Sequence, residues 1–311
     1  EGGSATYNMT GALRLNGNLN VEGLNWALQE IVRRHSILRT AFIQEEDRLY
    51  QVVQESVAFN VDVIFTTKPE ISGLIEDYAK QPFDLAKSPL FRANLLKLSE
   101  NQHVLLVNMH HIVSDAWSVG ILIQEFVALY KAFLQGRPSP LQELEIQYSD
   151  FAHWQRQWQQ GEVFQQQLSY WQKKLTDIPP LLLPTDYPRP QIQSYKGRSE
   201  PIKLEKSLLE KLLHLSHTVG ATLFMTLLSA YTVLLSRYSG QDDIVVGSPI
   251  SNRSRRELEG LIGLFVNILV FRTQISSEWS FKDLLSHVKE NALEAYAHQD
   301  VPFERLVEIL Q

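Results

Sequence analysis

The residues best suited to chemistry are crowded into one run, Met109-His110-His111-Ile112-Val113-Ser114-Asp115-Ala116-Trp117-Ser118. An imidazole titrates near neutrality, so a histidine here can act as a general base. The run follows an apolar strand-like stretch, VLLVN, and leads into a helical pattern that starts near Trp117. Neighbouring side chains on a strand point to opposite faces, so His110 and His111 cannot both face one cleft. One is expected to be buried and structural, the other presented. Asp115 falls on the turn into the helix, near its electropositive N-terminus. Three readings are open at this point. The pair can be satisfied core histidines, or part of a metal site, or a general base held by a carboxylate-centred network. The metal reading is weak, because it needs a third ligand and opposed imidazoles cannot chelate together.

The elements that must position these residues follow from the hydrophobic period, which alternates between two and 3.6 and so predicts mixed α and β structure. Strands are predicted at 11–16, 49–54, 59–65, 91–98, 103–109, 244–250 and 264–273. Helices are predicted at 21–35, 71–81, 117–135, 148–175, 207–236, 281–297 and 302–310. Asn20 supports the first helix start, and Ser207-Leu208-Leu209-Glu210 reads as a capping box. Residues 178–190, IPPLLLPTDYPRP, hold five of the thirteen prolines, and helix cannot run through them. A boundary is placed there, giving two lobes, 1–177 and 178–311. Residues 219–236 carry no charge, but their five Ser and Thr residues favour a buried core helix over a membrane span. The glutamine-rich stretch 155–167 reads as one face of a surface helix. The opening EGGSATYNMTG and the closing VPFERLVEILQ both read as cuts in a longer chain.

Composition removes several classes. The chain has 311 residues, about two domains' worth, with 44% hydrophobic and 21% charged residues. Lys plus Arg is 29 and Asp plus Glu is 35, a net charge of −6. This acidic balance gives no footprint for nucleic acid or an anionic membrane. With no cysteine, thiol nucleophiles, zinc–thiolate sites and iron–sulfur clusters are excluded. Two Asn-x-Ser/Thr triplets, at Asn8 and Asn252, are read as chance matches, and a cytoplasmic location is expected.

Five segments in order resemble the condensation domains of nonribosomal peptide synthetases. RHSILRTAF (34–42) is similar to that family's RHxxLRTxF, and MHHIVSDAWS (109–118) to its HHxxxDG motif. YSDFAHWQ (148–155), IGLFVNILVFR (262–272) and HQDVPFE (298–304) are similar to three further motifs. The resemblance implies an α/β (α+β) fold of two chloramphenicol acetyltransferase-like lobes in a V, each a mixed sheet flanked by helices. It implies that active-site residues lie where the lobes meet, in a tunnel, and that the activity is amide-bond formation between a donor acyl or peptidyl thioester and an acceptor aminoacyl thioester. Upstream and downstream peptidyl carrier domains would present both on phosphopantetheine arms, beside an adenylation domain. By the same resemblance the domain itself is expected to bind no cofactor or metal.

By the same resemblance His111 is the catalytic residue and His110 a packed, hydrogen-bonded one. Asp115 is structural, paired with Arg34 or, next, Arg39. Ser114, Ala116, Trp117 and Asn267 are candidates for lining the channel. Ala116 departs from the family's glycine, and the family's first motif is absent. Two alternatives share the fold: a non-catalytic docking domain and an epimerization domain. The retained histidines disfavour a cyclization domain. SDAWS with LPTDYPRP is similar to the subtype that takes an L-configured donor end.

Overall fold

The computed structural model describes residues 5–46, 48–192 and 197–310. In chain order the elements are β1 (Asn8–Asn16), α1 (Val21–Arg34), β2 (Thr40–Glu45), β3 (Arg48–Val53), β4 (Asp62–Phe65), α2 (Ile71–Lys80), β5 (Phe91–Ser99), β6 (Gln102–His110) and α3 (Ala116–Leu134). There follow α4 (Tyr148–Trp158), α5 (Glu162–Lys174), α6 (Lys206–Val219), α7 (Leu223–Ser239), β7 (Asp243–Ile250), α8 (Arg256–Glu259), β8 (Asn267–Gln274), α9 (Phe281–Ala297) and α10 (Phe303–Leu310). Short 3-10 turns span Ser36–Arg39 and His111–Val113.

By contacts the chain forms two compact units. One is Glu1–Gln157 with Arg253–Phe265, the other Trp158–Asn252 with Val266–Gln311. This division differs from a single break at 177/178. Helix α5 packs with α10, which draws the chain ahead of the prolines into the second unit. Residues 253–265 return to the first unit because their polar groups bind there, as shown below.

The first unit is built on a mixed sheet in the order β1-β6-β5-β4, with β4 and β5 parallel and the other pairs antiparallel. β6 is central and covered on both faces, which is why it reads as a continuous apolar run rather than an alternating one. Leu105, Val107 and Met109 join the main core with Leu24, Leu28 and Ile31 of α1 and Leu122 and Leu129 of α3. On the other face Val104 and Leu106 pack with Tyr78 of α2. The β2–β3 hairpin forms a separate pair; β2 was not foreseen, because its burial changes along the strand instead of alternating.

In the second unit β7 and β8 pair antiparallel. Leu269 and Phe271 of β8 pack with α5, α7 and α9. Two predicted long helices are each interrupted. Residues 148–175 break near Gly161. Residues 207–236 break at Gly220, whose φ of +65° closes α6 in the left-handed conformation. The Ser207 capping box does not form: the helix starts one residue earlier, with Glu205 at its N-cap and no side-chain cap. Helix α7 is a core helix on one face only. Thr226, Ser229 and Thr232 are buried, their hydroxyls donating to the carbonyls of Thr222, Met225 and Leu228. Phe224, Leu227, Tyr231, Leu234 and Tyr238 remain exposed, so the expected buried core helix is buried along that one face.

Candidate active site

β6 ends at His110, whose backbone N–H still pairs with Leu90 O at 3.0 Å. The His110 ring is buried, 6.0 Å from the Tyr7 ring and edge-on to Phe83 at 6.3 Å. Its Nδ1 accepts the Ile112 N–H at 3.1 Å. That bond puts the ring proton on Nε2. Burial pushes the His110 pKa down, and the neighbouring His111 pushes it further. His110 is therefore a neutral, packed residue that caps the 3-10 turn beginning at His111. His111 itself is half-buried. Among the described residues no hydrogen bond reaches its ring, so both of its nitrogens stay available.

Behind this turn Asp115 serves as the N-cap of α3. Its Oδ1 accepts from Ser118 N at 2.8 Å. The same carboxylate, almost wholly buried, takes Phe265 N at 3.0 Å on Oδ2 and Arg253 Nη2 at 3.2 Å on Oδ1. Ser118 Oγ lies 2.7 Å from Asp115 Oδ1 and 3.0 Å from Gly263 O, one of which takes its proton. It accepts from Gly263 N at 3.1 Å and Arg253 Nη2 at 3.0 Å. Arg253 also donates from Nη1 to Leu258 O at 2.5 Å and Leu261 O at 2.7 Å, and lies 3.9 Å over the Phe265 ring. Burial lowers its pKa, and Asp115 opposes that shift. One buried ion pair thus fastens segment 253–265 to the start of α3.

Asp115 therefore pairs with Arg253, and not with Arg34 or Arg39. Arg34 donates from Nε to Glu125 Oε1 at 2.8 Å. His35 Nε2 lies 2.9 Å from Glu125 Oε2. Because His35 Nδ1 accepts Ile262 N–H at 3.3 Å, Nε2 carries the proton and donates. Burial pushes the Glu125 carboxyl up, but His35 and then Arg34 outweigh it and hold it below the ordinary value. The physical reason is placement: α1 packs on α3, and Arg34, at the end of α1, meets Glu125 in the middle of α3. Arg39 donates to Gln54 O instead.

The first three sequence motifs and the IGLFV segment form one framework. Gln147 donates to Arg34 O at 3.0 Å and accepts from Ser36 N at 2.9 Å. Tyr148 OH donates to Leu264 O at 2.9 Å, and burial lifts its pKa to about 12. Gly263 must be glycine here: a Cβ would come within 2.2 Å of Tyr148 Cδ2.

Two lining candidates face protein instead of open space. Ser114 is fully buried. Asn267 donates to Gln299 O and Val301 O at 3.0 and 2.9 Å and accepts from Phe303 N at 3.0 Å. It braces the HQDVPF segment, and its amide is fully engaged. Ala116 is exposed at the first position of α3, and Trp117, 46% exposed, donates to Glu259 O at 2.9 Å. Sequence reading missed Arg253, noticed only as part of a glycosylation-like triplet. It also missed Glu125, although a lone carboxylate within GILIQEFVALY signals a buried partner. Among the described residues no three His, Asp or Glu side chains come together as a metal site.

The family model described as Condensation domain matches residues 1–311. The chain belongs to the condensation-domain family. It is 44% identical over 311 aligned positions to tyrocidine synthase 2 of Brevibacillus parabrevis, covering 100% of this chain and 8% of that protein. It is also 44% identical, over 318 positions, to chondramide synthase cmdD of Chondromyces crocatus, again covering 100% of this chain and 8% of that protein. The chain thus spans less than a tenth of these relatives. Among solved structures it resembles the X-domain in complex with OxyB from teicoplanin biosynthesis, at 30% identity and TM-score 0.91, over 98% of this chain and 68% of that one. A four-domain nonribosomal peptide synthetase bound to AMP and glycine matches at 25% identity and TM-score 0.85, over 99% of this chain and 23% of that one. The condensation domain's fold is the chloramphenicol acetyltransferase-like one expected from the motifs.

Proposed function

We propose that this condensation domain forms a peptide bond between a donor acyl or peptidyl thioester and an acceptor aminoacyl thioester, each delivered on the phosphopantetheine arm of a carrier domain. The observation that carries the reading is the contrast within the histidine pair. His110 is neutral, packed and hydrogen-bonded, whereas the His111 ring starts the next turn with both nitrogens uncommitted. The acceptor amine attacks the thioester carbonyl, a C–N bond forms, the C–S bond breaks, and the one proton lost by the amine ends on the departing sulfur as a thiol. His111 takes that proton from the nitrogen and passes it to the sulfur, or holds the amine by a hydrogen bond while the proton moves directly. Because a free α-amine has a pKa of about 8, it needs little help to deprotonate, and orientation can supply much of the acceleration. Tightly folded 109–118 and 253–265 segments give His111 a fixed backbone.

The test is a carrier-loaded assay read by mass spectrometry. His111→Ala should lose the dipeptidyl product by about 10²-fold or more, with its stability within about 0.5 kcal/mol of wild type, since the ring has no partner to lose. Equal turnover in the variant refutes the assignment. A second reading, a domain that docks a partner protein, draws support from the likeness to an X-domain seen with OxyB. It predicts no dipeptide from the wild type with any pair of loaded carriers. Chiral analysis of the product detects epimerization.

A further inference from the structure

Arg92 of β5 is a half-buried guanidinium that forms no ion pair among the described residues. Its charge meets the chain just beyond α2 instead. Nη2 donates to Pro82 O at 2.7 Å and Gln81 O at 3.3 Å, and Nη1 donates to Gln81 Oε1 at 3.0 Å. Burial pulls its pKa down, and no counter-charge offsets that cost. The guanidinium carbon lies 3.7 Å from the centroid of the Phe83 ring. The buried Phe83 ring in turn stands edge-on to His110 at 6.3 Å.

Strand register explains why these groups meet. Arg92 on β5 is the cross-strand partner of Asn108 on β6, and Asn8 on β1 is the partner of His110. Paired residues share a face of the sheet, and so do residues two apart on one strand. Asn8, Arg92, Asn108 and His110 therefore all lie on the face that α2 covers. The last carbonyls of a helix lack partners within it. Asn108 donates to Tyr78 O at 3.0 Å, and Asn8 donates to Ala79 O and Gln81 O, both at 2.8 Å. The sheet thus holds the end of α2, and Arg92 extends that hold to Pro82 and Phe83.

We propose that Arg92 is a positioning residue for the turn that carries His111, acting through Phe83 and His110. The clamp fixes Phe83, Phe83 packs the His110 ring, and the ring so held takes the Ile112 N–H on Nδ1, which caps the turn beginning at His111. Its effect on turnover rests on the assignment of His111 in the peptide-bond reading; its effect on the turn does not.

The experiment follows the Ile112 amide of the full chain by hydrogen exchange, alongside turnover with loaded carriers. Arg92→Met keeps an apolar stem and removes every donor. It should speed Ile112 exchange by about threefold to tenfold, while the His110 amide, bonded to Leu90 O, keeps its protection. Arg92→Lys, which keeps a cation and one donor group for the carbonyls, should fall between wild type and Arg92→Met. Phe83→Leu should act like Arg92→Met, and the two together should be no worse than Phe83→Leu alone. In turnover, Arg92→Met should lower kcat by about tenfold or more with KM within about twofold. In the His111→Ala background the same substitution should cost at most about twofold. The proposal is overturned by unchanged Ile112 exchange in Arg92→Met, by equal loss of protection at His110 and Ile112, or by a kcat loss that persists in full without His111. Because exchange needs no substrate, failure of the peptide-bond reading shows separately, as undiminished dipeptide formation by His111→Ala.

Discussion

Replacing Asp115 with Asn keeps the shape of the side chain and removes its charge, so it isolates what the ion pair with Arg253 does. The carboxylate accepts from Ser118 N, Phe265 N and Arg253 Nη2, and stands within hydrogen-bond reach of Ser118 Oγ. An amide has one acceptor oxygen. If that oxygen keeps the α3 cap, it also keeps Arg253 Nη2 at 3.2 Å, and the amide NH2 is turned toward Phe265 N–H, donor against donor. The guanidinium then faces a neutral group in place of its counter-charge, about 1.5–3 kcal/mol, and one buried N–H is orphaned, about 1–3 kcal/mol. Together these give about 3–5 kcal/mol, the usual cost of breaking one side of a buried pair. At about 2–4 °C per kcal/mol, Tm should fall by roughly 10 °C. Urea unfolding followed by circular dichroism gives the free energy directly. A double-mutant cycle with Arg253→Met should show coupling of about 1 kcal/mol or more, since the second change removes the stranded charge. The cycle of Asp115→Asn with Arg34→Ala should be additive within about 0.5 kcal/mol. Coupling to Arg34 and none to Arg253 would refute the pairing drawn from the structure.

Gly263→Ala should destabilise by about 1–3 kcal/mol, because the new methyl meets the Tyr148 ring at 2.2 Å; the urea midpoint measures this. The Glu125 carboxyl sits below its ordinary value of 4.5 in the folded chain. Its contribution is therefore complete above that pH and is lost as pH falls through the lower folded value. The stability gap between wild type and Glu125→Gln should be wide at pH 7 and shrink on acidification toward pH 3, and a pH-independent gap would be inconsistent with the shift. Ala116→Gly should leave carrier-loaded turnover unchanged, since the Ala116 methyl is exposed, and should lower stability by at most about 1 kcal/mol through helix propensity.

Much of this architecture is legible in the sequence where burial has a simple period. The central strand β6 reads correctly because both of its faces are covered, and α1 and α9 read correctly because caps and apolar stripes agree. Legibility fails where one residue changes chain direction, as at Gly161 and Gly220. The site divides in the same way. The unlike surroundings of His110 and His111 match the expectation of one buried and one presented ring, but the cause is the end of β6 at His110 and the 3-10 turn that begins at His111, not alternation along one strand. The Asp115 partner was not legible, because pairing depends on which arginine the tertiary fold brings near, and Arg253 comes from 138 residues away. Arg34 offered the nearer motif and found Glu125 instead, through the packing of α1 on α3.

The return of residues 253–265 to the first unit has a consequence for how the chain can be made and cut. Once the chain has emerged from a ribosome as far as residue 157, every strand of the β1-β6-β5-β4 sheet has been delivered, yet Asp115 still waits for its counter-ion. The sheet can assemble early, but the turn bearing His111 acquires its final support only after Phe265 has emerged. A contiguous fragment ending at residue 157 therefore carries the histidine pair with an uncompensated charge behind it, and so cannot stand in for the intact unit in biochemical work.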